Sequence, residues 1–112
     1  MGRRGNKLRV QAGTGNAFAD LRLPDADEKQ TKVRLAVAIN HILRNRSLKQ
    51  SSAARRLKIN QPKISALSNY RLEGFSVERL MRFLNALDRD IEIVIRPKPR
   101  SRKAGRILVT AA

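Results

Sequence analysis

The side chains best equipped for specific hydrogen bonding crowd into one short stretch, residues 60–71, NQPKISALSNYR. Gln61 carries a donor and an acceptor in the fork that matches an adenine edge, and Lys63 can donate to guanine. Pro62 and Ala66 offer small apolar surface of the kind that meets a thymine methyl. Gln61, Pro62, Lys63 and Ala66 are therefore the candidate base-contacting residues. Gln50, Asn60, Ser65, Asn69, Tyr70 and Arg71 suit phosphate oxygens, contacts that place a protein on a duplex without reading its sequence. For Tyr70, packing at the edge of a core is an equal alternative.

Other reactive combinations are weaker. Asp25, Asp27 and Glu28 could in principle hold a divalent metal for nuclease work, yet acids at a helix start more often complement its dipole. No base or nucleophile accompanies them. His41 is the single histidine and there is no cysteine, so a His or Cys metal cage and disulfides are excluded. No catalytic residue, metal site or cofactor is expected.

The charge balance points the same way as the polar stretch. Twenty-five Lys and Arg face nine Asp and Glu over 112 residues, a net charge of +16. A field of that strength on so small a chain draws polyanions, nucleic acid above all. No stretch approaches the roughly 18 to 20 apolar residues of a membrane span. No long apolar segment near the amino end signals export, so the expected compartment is the cytoplasm.

Two short helices must carry the polar stretch. Leu48, Ala54 and Leu57 share one helical face, Ile59 falls in a turn, and Ile64 with Leu67 faces inward from the next helix. That pattern predicts a helix-turn-helix whose second helix, about 61–69, presents its polar face to a major groove. Asn60 is its expected cap, and Pro62 lies in the first turn, where proline is tolerated. Ser47 and Gln50 make a candidate capping box for the first helix of the pair, and Ala53 with Ala54 permits close helix approach. Arg55 and Arg56 are read as solvated, within reach of a phosphate.

Scaffold helices flank the pair. Asp27 and Gln30 form a candidate capping box for a long helix with the stripe Leu35, Ile39, Ile42 and Leu43. Lys32, Arg34, Asn40, His41 and Arg44 fall mostly on its outer face. Ser76 is the expected cap of a last helix, with Glu78 in its first turn and Val77, Leu80, Met81, Leu84 and Leu87 buried, Phe83 extending the stripe.

Both ends of the chain change character. Residues 90–96 switch to a period of two, with Ile91, Ile93 and Ile95 on one face, which predicts a strand. An isolated strand needs a partner. The choices are the same segment of a second subunit, residues 7–12, residues 107–110, or another protein. The symmetric homodimer is favoured, since it presents two recognition helices about one helical turn apart. Residues 97–106, PKPRSRKAGR, read as an electrostatic clamp on DNA, against the alternative of a solvated tail. At the other end, residues 1–26 are basic and glycine-rich. Leu8, Val10 and Ala12 alternate weakly, and Phe18, Leu21 and Leu23 can fold back onto the helices before Pro24. Arg3 and Arg4 are minor-groove candidates, although a solvated arm is favoured.

The 48–67 stretch closely resembles the Xre/Cro family of helix-turn-helix proteins at Leu48, Gln50, Ala54, Leu57, Ile59, Ile64 and Ser65. A wider resemblance, over roughly 15–98, is to a subgroup containing HigA-type antitoxins, carried by GNAFADL, FSVERLMRFLNAL and IEIVIRP. The resemblance implies a mainly α fold. It is a four- to five-helix lambda-repressor-like helix-turn-helix domain (27–88) between the basic arm (1–26) and a short C-terminal β-strand with a basic tail (89–112). It also implies a homodimer that binds double-stranded operator DNA, represses its own operon and neutralises a RelE-like ribonuclease toxin. Three positions depart from the family pattern. Lys49 stands in place of threonine, Lys58 in place of the turn glycine, and Asp88 in place of a helix-ending glycine. If Lys58 keeps a left-handed backbone, it costs on the order of 1 kcal/mol relative to glycine. The expected function is a sequence-specific repressor, most simply an autoregulating antitoxin and not an enzyme. The alternatives are a stand-alone regulator and an architectural or RNA-binding protein that uses charge without base readout.

Overall fold

The computed structural model describes residues 25–111, and the elements of the fold within that span are four helices. They are α1 (Asp25–Asn45), α2 (Gln50–Leu57), α3 (Gln61–Ser68) and α4 (Val77–Ala86). None is long and apolar enough to cross a membrane. The readings placed on Arg3, Arg4, residues 7–12, Phe18, Leu21 and Leu23 lie outside the described residues.

Helix α1 packs against α4 and α3, and α2 packs against α3 and α4. Leu35, Ile39, Ile42 and Leu43 are buried as their spacing predicts, joined by Ala36. The fully buried side chains Ile39, Ile64, Leu67, Leu80 and Leu87 come from every part of the domain except α2. Burial of such side chains contributes about 1.5–3 kcal/mol each. Helix α2 instead brings Ala53, Ala54 and Leu57 to the core, and the two alanines let its backbone approach closely.

Two start signals are corrected. Asp27 lies inside α1 and does not precede it, and its backbone carbonyl accepts from the Thr31 hydroxyl at 2.9 Å. Helix α2 begins at Gln50 after Lys49, whose side chain makes no capping hydrogen bond. Ser47 does not cap α2, because with φ 53° it belongs to the end of α1. The other two caps form as expected. Asn60 Oδ1 accepts from the Lys63 amide at 2.9 Å, and Ser76 Oγ accepts from the Arg79 amide at 3.0 Å.

All four helices end in the same motif. The left-handed residue is Ser47, Lys58, Tyr70 and Asp88 in turn, and none is glycine. After each, an amide reaches back five residues: Leu48 to Leu43 at 3.1 Å, Ile59 to Ala54 at 3.0 Å, Arg71 to Ala66 at 2.9 Å, and Arg89 to Leu84 at 2.9 Å. These are Schellman closures, which satisfy the last carbonyls and turn the chain sharply. Glycine is usual at the left-handed position because a Cβ crowds the neighbouring carbonyl there.

The α4 stripe differs from its sequence reading at one point. Phe83 is buried while Met81 is only half-buried. Phe75, from the loop before α4, packs edge-on against Phe83 with centroids 5.8 Å apart. With Leu72 it carries that loop into the core. Asn40 does not face outward as its position was read, for it is buried and its Nδ2 donates to the Leu67 carbonyl at 3.1 Å. Arg56, although exposed, donates to the Ala86 carbonyl at 3.1 Å and to Asp88 Oδ2 at 2.9 Å.

The expected strand at Ile91, Ile93 and Ile95 does not form, and there is no strand among the described residues. The segment is irregular and exposed, reaching 78% exposure at Ile95. The reason is the one that makes any lone strand unstable: a ladder needs a second set of amides and carbonyls. Residues 107–110 do not provide it, since Val109 packs instead against the helical core.

Candidate nucleic-acid interface

Helix α3 has a sharp division of faces. Ile64 and Leu67 are fully buried, so at 100° per residue the opposite face is centred on Pro62, Ser65 and Asn69, with Gln61 and Ala66 at its margins. Gln61, Pro62 and Asn69 are exposed, while Ser65 and Ala66 are half-buried. Ala66 also packs against the core, which leaves only part of its methyl surface outward. The Asn69 amide group is held on its own helix, donating to the Ser65 carbonyl at 2.9 Å. Tyr70 and Arg71 follow as exposed residues, so Tyr70 is not buried in the core.

Lys63 lies beside this face and not at its centre. Its ammonium sits 5.6 Å from the centroid of the Phe75 ring. Arg79 approaches the same ring at 5.5 Å and Phe83 at 5.6 Å. Such contacts hold a cation loosely, at about 0.5–1 kcal/mol when exposed. The Phe75 loop therefore sets the resting position of the Lys63 head group at the amino end of α3.

The amino end of α2 is the second component. Lys49 leaves it without a side-chain cap, and Gln50 opens the helix as an exposed residue. Free amides at a helix start, with the positive end of the dipole, favour an anion. A cleft of ≈ 520 Å³ beside it is lined by Asn40 and Arg44 of α1, by Ser47, Lys49 and Gln50, and by Ile64 and Ser68 of α3. The uncapped start of α2 thus shares a cleft with Ile64 and Ser68 of α3.

The family described as Helix-turn-helix domain matches residues 17–96. A solved structure named "Putative XRE Family Transcriptional Regulator" is 67% identical, covers 80% of this chain and 100% of its own, and superposes with a TM-score of 0.77. The chain belongs to the XRE-type helix-turn-helix family. No curated protein matches it.

As an XRE-type domain, the chain keeps the backbone of the motif while changing residues that usually shape it. Lys58 occupies the turn with φ 60° and ψ 44°, the left-handed conformation that glycine ordinarily supplies. Asp88 does the same at φ 66°. Its carboxylate accepts from Arg56 at 2.9 Å and from Arg46 at 3.4 Å, and Arg46 also donates to the Leu87 carbonyl at 2.8 Å. The aspartate joins the ends of α1 and α4 to α2, a role that a glycine could not fill.

The sequence reading sets Asn40 on the outer face of α1 and gives Phe75 no role, yet both make contacts that hold residues of α3. Asn40 ties α1 to the last turn of α3. It falls four residues after Ala36 and three before Leu43, so its place on the buried stripe was available as a signal. Phe75 had no such signal, because a residue outside helical periodicity shows its burial only when the loop is seen against α4.

Proposed function

We propose that this protein is a dimeric, sequence-specific transcriptional repressor that inserts α3 into the major groove of its operator. The observation that carries this reading is the outward face of α3. Gln61 and Pro62 stand exposed at its capped amino end, backed by the fully buried Ile64 and Leu67. Gln61, Pro62, Lys63 and Ala66 take the base-contacting roles, with Lys63 leaving its perch over Phe75 to do so. Gln50, Asn60, Ser65, Asn69, Tyr70 and Arg71 take the backbone. The uncapped start of α2 receives a phosphate beside Lys49.

The sequence resemblance to HigA-type antitoxins extends the proposal. In that form the operator is the protein's own promoter and a RelE-like toxin is its partner. The partner occupies surface outside α3. Co-purification with the product of the adjacent gene tests this extension, and a stand-alone regulator is the form that survives its failure.

The core reading is tested by titrating the full chain against its own upstream DNA and a scrambled duplex of equal length at near-physiological salt. A preference of roughly a thousandfold or more supports base readout. Equal affinity at every concentration favours the charge-driven alternative, which the net charge of +16 sustains on its own.

A further inference from the structure

The positive charge of the chain is concentrated in one place that the helices do not use. Arg96, Lys98, Arg100, Arg102, Lys103 and Arg106 crowd into residues 96–106, and no aspartate or glutamate follows Glu92. The run lies outside the helix-turn-helix pair and begins at the last residue that the family matches.

The structure makes this run a loop closed onto the body, not a loose end. On its near side the Arg89 amide closes onto the Leu84 carbonyl at 2.9 Å. On its far side Val109 packs against the helical core, and Ile107 and Val109 are half-buried while Leu108 and Thr110 are exposed. Between these ends, Pro97 and Pro99 fix their own φ and disfavour the helical region for Arg96 and Lys98. The Arg102 amide donates to the Pro99 carbonyl at 3.2 Å, and its Nη1 donates to the Ala104 carbonyl at 3.4 Å. Arg102 is thereby engaged within the loop's own turn. Arg96, Lys98, Arg100, Lys103 and Arg106 are exposed, and none forms an ion pair among the described residues.

We propose that residues 96–106 are a second DNA-contact surface, which binds backbone phosphates without reading bases and is held in place by Val109. This rests on the DNA-binding reading above and adds to it a contact outside the helix-turn-helix. Unpaired cations with no carboxylate among them repel one another, and a polyanion both relieves that repulsion and releases its condensed counterions on binding. Duplex DNA offers about one negative charge per 1.7 Å of its axis, a density that matches so crowded a run. The loop is neither a helix nor a paired strand, the elements that a major groove admits, so its cations meet phosphates and position without specifying. A bilayer surface fits less well. Apart from the two prolines, Ala104 and Gly105, every side chain of the run is polar or charged, which leaves nothing to insert among lipid chains. The prolines and the Val109 anchor also reduce the freedom that binding must remove.

The test measures binding of the full chain to its upstream duplex and to the scrambled duplex between about 50 and 200 mM salt. One variant combines Lys98→Gln, Arg100→Gln and Lys103→Gln. A charge-matched control combines Lys29→Gln, Lys32→Gln and Arg82→Gln on the surfaces of α1 and α4. Losing three phosphate contacts lowers the slope of log affinity against log salt by about 2.7. Over that range the parent is therefore expected to lose about 40-fold more affinity than the loop variant, on both duplexes alike, while the control stays within about one unit of the parent's slope. Val109→Ser keeps every cation and should weaken binding about threefold or more, because the freed loop must be ordered on the DNA. Circular dichroism checks that each variant retains the helical content of the parent.

Equal slopes for the loop variant and the control overturn the proposal. A fall confined to the upstream duplex overturns the phosphate-only contact, since it would mean base readout, and parental binding by Val109→Ser overturns the anchoring. An effect seen only on a single-stranded RNA of equal length overturns the choice of duplex. Should the parent bind both duplexes equally, the repressor reading fails, and the difference in slope still decides for or against the loop.

Discussion

Replacing Lys58 with glycine should stabilise the protein and weaken its hold on DNA at the same time. The side chain stands at φ 60° and ψ 44° between α2 and α3, where a Cβ costs about 1–2 kcal/mol. Glycine also enlarges the conformational freedom of the unfolded chain, which offsets roughly 0.5–1 kcal/mol of that relief. Lys58 is exposed and makes no side-chain hydrogen bond or ion pair among the described residues, so no other contact is lost. The net expectation is a gain of about 0.5–1 kcal/mol, or roughly 2–8 °C in melting temperature for a domain of this size. Circular dichroism melts at one fixed protein concentration measure it, since dimerisation would otherwise shift the midpoint.

Asp88→Gly provides the internal comparison. It relieves less strain, because aspartate tolerates the left-handed region better than lysine. It also removes the contacts with Arg46 and Arg56. The Asp88 side chain is 70% exposed, so each of those pairs is worth about 0–1 kcal/mol after solvent screening. The two effects should cancel, leaving the variant at or below the parent. A Lys58→Gly protein that melts no higher than the parent would refute the claim that strain is stored in this turn, and with it the reasoning applied to both sites.

Four further outcomes are expected. Gln61→Ala and Lys63→Ala should each cost about 1–3 kcal/mol of operator affinity and relax preference at one position. Equal losses on operator and scrambled DNA would demote them to backbone contacts. Lys49→Ala should weaken binding similarly on all sequences and reduce the slope of log affinity against log salt by about 1; an unchanged slope would remove Lys49 from the phosphate interface. Asn40→Leu should cost about 1 kcal/mol in thermal stability, because the Leu67 carbonyl still accepts from the Tyr70 amide at 3.2 Å. A loss near 3 kcal/mol would mean that the side-chain amide is its principal donor.

What was readable in the sequence is what depends on neighbours along the chain. The α1 stripe of Leu35, Ile39, Ile42 and Leu43, the caps at Asn60 and Ser76, and the inward pair Ile64 and Leu67 all follow from helical periodicity and local hydrogen bonding. The polar face of α3 follows from the same repeat, since assigning the buried side assigns the other. Ser47 was misread because Ser and Gln three residues apart suit a helix start, and only the closure of Leu48 onto Leu43 shows that the serine ends the previous helix.

Tertiary structure decided the rest. Phe75 is buried because α4 presents Phe83 to it, and Lys63 rests where that ring lies. Arg56 bonds to Ala86 and Asp88 because the end of α4 is brought to the side of α2. The alternating isoleucines show most plainly how the two levels differ. A period of two establishes that residues 90–96 are suited to be a strand, but a strand is made by pairing, and among the described residues of a single chain there is nothing for it to pair with.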